Sequence, residues 1–199
     1  MQEPYALIFD CDGTLADTMP AHYEAWAETI SPLGATMTED QFYAMGGWPT
    51  QKVAERLVRE QQLSVDPTIM SHDKEIRFEQ MLHLIRPVEP VIAIAQQERG
   101  HRPLGVATGG MRRICEGILL HLKCLDWFDA VVCCEDVSRH KPEPDIFLEA
   151  ARRLNVPPDR CLVYEDTDPG IESALRAGMK VIDVRTLHTP RRVTNSAKL

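Results

Sequence analysis

The sequence predicts an α/β protein: a doubly wound, mainly parallel sheet with an all-helical domain inserted into it. Three observations carry that prediction. From position 86 onward, short apolar β-rich runs alternate with helical stretches of about ten residues. One more run of the same kind, Ala6-Leu7-Ile8-Phe9, stands near the start. Between Met19 and Leu84 the pattern is helical and no convincing strand interrupts it.

Taken in order, Tyr5 to Asp10 reads as the first strand, and Ala21 to Ile30 as the first helix. Thr38-x-x-Gln41 is a capping-box signal for the next helix, because each side chain can satisfy the other's exposed backbone N–H. Gly46-Gly47-Trp48-Pro49 is a turn, and Thr50 to Gln62 and Pro67 to Ile85 are longer helices. Asp66-Pro67 supplies an N-cap acceptor followed by a proline at the first helical position. Arg86-Pro87 ends the insert. Val91 to Arg99 is then helical, Leu104 to Thr108 a strand, Arg112 to Leu122 a helix and Ala130 to Cys134 a strand. Asp145 to Leu154 is a helix and Cys161 to Glu165 a strand; Asp168-Pro169 starts a helix that Gly178 ends, and Lys180 to Val184 closes the series. The core is expected to be Rossmann-like, built from residues 1–15 and 86–199, with residues 16–85 as the helical insert. The tail from Thr186 is polar and basic without periodicity, which predicts loose order.

Composition narrows the function. The chain has 199 residues, 44% hydrophobic and 26% charged, ordinary values for a globular protein. Its formal net charge of −8 provides no electrostatic footprint for nucleic acid. No apolar run approaches the ~20 residues needed to span a bilayer. Met1-Gln2-Glu3-Pro4 lacks the basic and apolar segments of a signal peptide. Neither a membrane nor a nucleic acid is therefore an expected partner, and a cytoplasmic location is predicted. The six cysteines show neither a disulfide framework nor zinc spacing, and several sit inside apolar runs as small hydrophobes. Oligomeric state is not legible in the sequence.

Four separated segments carry the chemistry: Asp10-Cys11-Asp12-Gly13-Thr14-Leu15, Thr108-Gly109, Lys141-Pro142 and Glu165-Asp166. Three directly follow a predicted strand and the fourth comes a short loop after one. Strands of a parallel sheet point one way, so their carboxyl ends share one crevice. Asp10 and Asp12, alternate residues on extended chain, can face the same side. Asp10 can act as nucleophile on phosphorus, and Asp12 can protonate a leaving alkoxide and then deprotonate water. Two carboxylates beside a phosphate repel it by roughly 4 kcal/mol per pair at about 4 Å and an effective dielectric near 20. A divalent cation offsets this, and Asp10, Asp12 and Asp166 with phosphate oxygens form a hard donor set that suits Mg²⁺. Glu165, adjacent to Asp166, is expected behind the ligands rather than among them. Thr108 and the amide of Gly109 can bind phosphate oxygens at a helix start, and Lys141 can neutralise charge on a transferring phosphoryl group. Singly, each segment has an ordinary structural reading as a turn, a cap, an acidic loop or a solvated lysine.

Together and in this order, the four segments resemble those of the haloacid dehalogenase-like hydrolases, over nearly the whole chain. The resemblance implies that Asp10 is the nucleophile and Asp12 the general acid/base. It implies Mg²⁺ held by the Asp10 carboxylate, the Asp12 backbone carbonyl and Asp166, with Thr108 and Lys141 on the phosphoryl group. The insert is similar to the cap of the β-phosphoglucomutase-like subgroup, and His22 falls where mutases carry a histidine. The lysine and arginine that mutases carry around the turn at Gly46-Gly47-Trp48-Pro49-Thr50 are absent. That turn looks more like that of bacterial phosphatases acting on fructose 1-phosphate and 6-phosphogluconate. Trp48 would then shape the leaving-group pocket, and Arg112, just past the second motif, is expected to meet a polar or anionic end of the substrate. The expected function is hydrolysis of small sugar phosphates through an aspartyl-phosphate, with a phosphosugar mutase as the alternative. A phospho-accepting receiver domain is a third reading, disfavoured because its acceptor aspartate follows the third strand.

Overall fold

The computed structural model describes residues 5–46 and 48–193. In chain order the elements are β1 (Ala6–Phe9), β2 (Ala16–Asp17), α1 (Met19–Ile30), α2 (Glu39–Tyr43), α3 (Thr50–Gln61) and α4 (Pro67–Gln80). They continue with β3 (Arg86–Pro87), α5 (Glu89–Glu98), β4 (Leu104–Ala107), α6 (Arg112–His121) and β5 (Ala130–Val132). The series closes with α7 (Asp145–Leu154), β6 (Cys161–Glu165), α8 (Asp168–Arg176) and β7 (Lys180–Asp183). Two compact units result: residues 5–17 with Arg86–Thr189, and Thr18–Ile85 with residues 190–193.

The first unit is a parallel sheet in the order β5-β4-β1-β6-β7. Every residue of β1 is buried, as expected of a strand covered on both faces. Its side chains alternate: Ala6 and Ile8 join Val132, Val163 and the apolar side of α7 (Ile146, Phe147, Ala150, Leu154) in one cluster. Phe9 points to the opposite face, where it stacks on Tyr164 at 4.9 Å and meets the edge of Phe128 at 6.0 Å. The register that pairs Phe9 with Tyr164 also brings the next residues of both strands, Asp10 and Glu165, to the same end of the sheet. Asn155 after α7 and Gly178 after α8 take left-handed backbone conformations, ending each helix so that the chain can return as a strand.

The second unit packs α1 against α4 and α3 against α4 around Trp26, Ile30, Phe42, Val53, Leu57 and Met70. The capping box at α2 is present: Gln41 N–H donates to Thr38 Oγ1 at 3.2 Å, and Thr38 N–H to Gln41 Oε1 at 2.8 Å. Asp66 caps α4, accepting from Thr68 N–H at 2.7 Å.

The structure corrects several expectations. β2 and β3 form a two-residue antiparallel pair, Asp17 opposite Arg86, that no alternating pattern announced because it is too short to have one. α4 stops at Gln80, and Leu82–Leu84 continue as a 3₁₀ turn. β5 stops at Val132 rather than Cys134: Asp136 turns back to accept the Cys133 N–H at 2.8 Å, which pulls Cys134–Asp136 into a 3₁₀ turn. α1 and α5 each begin two residues early, with a proline in the first turn supplying helical φ without needing a donor. In the tail, residues 191–193 are bonded to α2. Val193 N–H donates to the buried Glu39 Oε1 at 2.6 Å, Arg192 pairs with Asp40 and lies over Tyr43, and the Tyr43 hydroxyl donates to the Arg191 carbonyl. The last part of the expectation, residues 194–199, lies outside the described residues. No described helix is long and apolar enough to cross a membrane.

Candidate active site

At the carboxyl end of the sheet, β1 delivers Asp10, β6 delivers Glu165 and Asp166, and the loop before α7 delivers Lys141. One oxygen from each of Asp10, Glu165 and Asp166 lies within 4.8 Å of the others. Asp10 is 5% exposed and Glu165 fully buried. The Lys141 ammonium sits between them, donating to Asp10 Oδ1 at 2.6 Å, Glu165 Oε2 at 2.7 Å and the Ala107 carbonyl at 3.3 Å. The ring of Phe147 lies 5.0 Å from it.

The site is thus three carboxyl groups, Asp10 and Glu165 buried and Asp166 half-buried, around one cation. Burial pushes Asp10 up, Lys141 pulls it down, and Glu165 and Asp166 push it up again, leaving it well above the usual carboxylate range. Asp166 is raised to about 7 by burial and by Glu165, although Thr14 and Lys141 oppose the rise. Burial works against the Lys141 ammonium, but Asp10 and Glu165 raise its pKa beyond its ordinary value, so it stays protonated. Fully ionised, the three carboxylates would outnumber the one ammonium, and all their oxygens are hard donors. Such a set fits a small divalent cation, which would restore the ordinary acidity of the carboxyls.

The loop after β1 is shaped for this cluster. Cys11 carbonyl accepts from Leu15 and Ala16 N–H, both at 3.0 Å, and Gly13 N–H donates to Ala16 carbonyl at 2.7 Å. Gly13 has φ +82°, and a Cβ there would fall 2.2 Å from Asp166 Oδ2. Thr14 donates to Asp166 Oδ1 at 2.9 Å. Asp12, half-buried, extends toward the loop after β4: its Oδ2 is 3.5 Å from where a Cβ of Gly110 would be. In that loop the buried Thr108 accepts the Gly110 N–H at 3.0 Å through Oγ1, and Gly109 is exposed with open space beside its Cα.

Of the remaining candidates, Arg112 bonds to neighbouring elements. Its guanidinium donates to Glu116, Asp136 and the Val131 carbonyl, so it braces α6 against the loop after β5. In the helical unit, His22 Nδ1 is 2.7 Å from Lys74 Nζ, and its ring stacks on Phe78 at 3.8 Å. Trp48 is 47% exposed, with the Arg56 guanidinium 5.6 Å from its ring centre. Its neighbour in the predicted turn, Gly47, lies outside the described residues.

Three features were not foreseen, two at this cluster and one within the helical unit. Thr14 sits inside the first motif, but only the fold reveals that its hydroxyl meets Asp166. Thr167 donates to Glu165 Oε1 at 2.7 Å, a contact that follows from helix capping rather than from any motif. Lys74 reads in sequence as an ordinary lysine of an exposed helix face. In fact it is 1% exposed, held by His22 and by Glu75 Oε1 at 3.0 Å, while Thr50 donates to the same oxygen at 2.6 Å.

A parallel α/β sheet thus gathers acidic side chains and one lysine at its carboxyl end. Residues 7–184 match the haloacid dehalogenase-like hydrolase family, and the chain belongs to it. It is 40% identical to the fructose-1-phosphate phosphatase YqaB of Escherichia coli, over 94% of this chain and all of that protein. It is 30% identical to a phosphorylated carbohydrates phosphatase of Thermotoga maritima, over 89% of this chain and 83% of that one. Among solved structures, CbbY of Rhodobacter sphaeroides in complex with phosphate superposes with a TM-score of 0.79. It is 26% identical, covering 90% of this chain and 85% of that one. The protein is therefore an enzyme, a hydrolase of this family.

Proposed function

We propose that this hydrolase is a Mg²⁺-dependent phosphatase of small sugar phosphates, with fructose 1-phosphate and 6-phosphogluconate the first candidates. One observation carries the reading: Asp10, Lys141, Glu165 and Asp166, up to 156 positions apart, converge in one cluster whose Asp10 and Glu165 are buried. In this reading Lys141 fixes one oxygen of Asp10, and the other attacks phosphorus. The P–O ester bond breaks, Asp12 gives its proton to the leaving alkoxide, and an aspartyl-phosphate remains on Asp10. Water then attacks phosphorus, Asp12 takes its proton, and inorganic phosphate leaves as the Asp10 carboxylate is restored. Thr108 and the Gly109 amide hold phosphoryl oxygens, and Lys141 neutralises charge that develops there. Asp10 and Asp166, with the Asp12 carbonyl, would hold Mg²⁺, which supplies charge neutralisation between carboxylates and phosphate. The helical unit acts as the cap, and His22 and Trp48 contribute to selection of the leaving group.

Phosphate release from a panel of sugar phosphates tests this, with Asp10→Asn as blank. The variant should lose at least ~10³-fold in kcat while keeping its circular dichroism, and excess EDTA should stop the wild type. Near-normal turnover in either case refutes the assignment. Conversion of β-glucose 1-phosphate to the 6-phosphate with a bisphosphate primer, instead of phosphate release, would favour the mutase.

A further inference from the structure

We infer that Thr167 and Gly170, two residues at the head of α8 with no chemistry of their own, are positioning residues that set the place of the Lys141 ammonium through Glu165. The inference rests on the reading of Lys141 just proposed.

The Glu165 carboxylate divides its two oxygens between different tasks. Oε2 accepts from Lys141. Oε1 accepts three hydrogen bonds: from Asp166 N–H at 3.1 Å, Thr167 N–H at 2.9 Å and Thr167 Oγ1 at 2.7 Å. Thr167 Oγ1 in turn accepts the Gly170 N–H at 3.2 Å, so one hydroxyl both caps α8 and holds the carboxylate. The first turn of a helix favours a negative charge through its exposed N–H groups.

Space completes the arrangement. Gly170 is buried in the first turn of α8 with φ outside the left-handed region, so its backbone does not call for glycine. A helix interior disfavours glycine against alanine. The reason for it lies beside it: a Cβ at 170 would stand 2.0 Å from Glu165 Cδ and 2.1 Å from Oε2, the oxygen that holds Lys141. The carboxylate is fully buried and bonded at both oxygens, so it cannot move aside without giving up those bonds. Any side chain at 170 therefore displaces Oε2 and leaves Lys141 with Asp10 as its remaining carboxylate partner.

The test compares Gly170→Ala, Thr167→Val and Thr167→Ser with wild type. Ala174→Gly serves as a control that weakens the same helix away from Glu165. Two readouts are taken: acylation of Lys141 by an amine-reactive ester, mapped by mass spectrometry against the exposed Lys123 and Lys180, and the separate values of kcat and KM. Loss of one buried charge-assisted bond should raise Lys141 labelling and lower kcat by ~10-fold or more in Gly170→Ala. Thr167→Val should move both in the same direction, and Thr167→Ser, which keeps the hydroxyl, should restore both. Ala174→Gly should lower the melting temperature and change neither. Unchanged labelling in Gly170→Ala, or equal labelling in Ala174→Gly, overturns the inference. If Gly170→Ala does not fold, the Val and Ser variants at 167 decide: equal behaviour of the two rejects it. The labelling pattern is independent of turnover. The predicted pattern in a protein with no phosphatase activity would leave the positioning intact and sink the functional reading. Activity with no such pattern would do the reverse.

Discussion

Gly13 and Asp166 illustrate how tightly single residues are matched at this site. Gly13 is the one glycine of the first motif, and two independent constraints meet there: a φ of +82° and an Asp166 oxygen 2.2 Å from the missing Cβ. Gly13→Ala should cost roughly 1–2 kcal/mol for the left-handed backbone alone. It should also push Asp166 away and weaken Mg²⁺ binding by at least ~10-fold in isothermal titration. Wild-type affinity in a folded variant would show that Asp166 is not a ligand. At this scale the sequence was informative about residue type and silent about contact. Asp10, Lys141 and Asp166 were singled out because carboxylates and a lysine in that order suit phosphoryl transfer. Thr14, Thr167 and Lys74 were not, because a hydroxyl in a turn or a lysine on a helix has many ordinary settings. Arg112 was singled out for its place after the second motif, and the fold shows its guanidinium donating to Glu116 and Asp136.

Among the elements, α7 bears the most on the site. Its apolar residues Ile146, Phe147, Ala150, Ala151 and Leu154 are buried against the sheet, and Phe147 also lies under the Lys141 ammonium. Phe147→Ala should destabilise the protein by about 3–5 kcal/mol, the ordinary cost of emptying an aromatic core position. Phe147→Leu should cost less than half of that while still removing the ring face from Lys141. Urea denaturation of both variants checks the order; a Phe147→Ala loss under ~1 kcal/mol would mean that the sheet face repacks freely. The elements themselves were legible because their signals are local. The period of apolar residues, the Thr38–Gln41 capping box, the Asp66-Pro67 start and the Gly178 stop each act within a few residues. What was missed is short or side-chain driven: the β2–β3 pair, the turn that Asp136 imposes after Val132, and the hold of α2 on residues 191–193.

For the molecule as a whole, the acidic cluster couples folding to pH and to metal. In metal-free protein, Asp166 titrates near 7 when folded and near 3.9 when unfolded. Between those values the folded state keeps a proton that the unfolded chain has released, so stability falls as pH rises from about 4 to 7. The full effect is on the order of a few kcal/mol. Melting of EDTA-treated wild type should therefore weaken with rising pH more steeply than that of Asp166→Asn, and Mg²⁺ should flatten the wild-type trend. Parallel slopes for the two chelated proteins would contradict the crowding of these carboxyls. By itself the sequence determined the alternation of strands and helices, the helical stretch after the first strand and the residue types that phosphoryl chemistry needs, since propensity, periodicity and capping act between near neighbours. Only the tertiary structure decided which of those groups meet. The pairing of β1 with β6 and the burial beneath α7 set the distance between Asp10 and Glu165, the partner of each Lys141 proton and the acidity of Asp166. Those quantities depend on separations in space and on exclusion of water, neither of which is written in the order of residues.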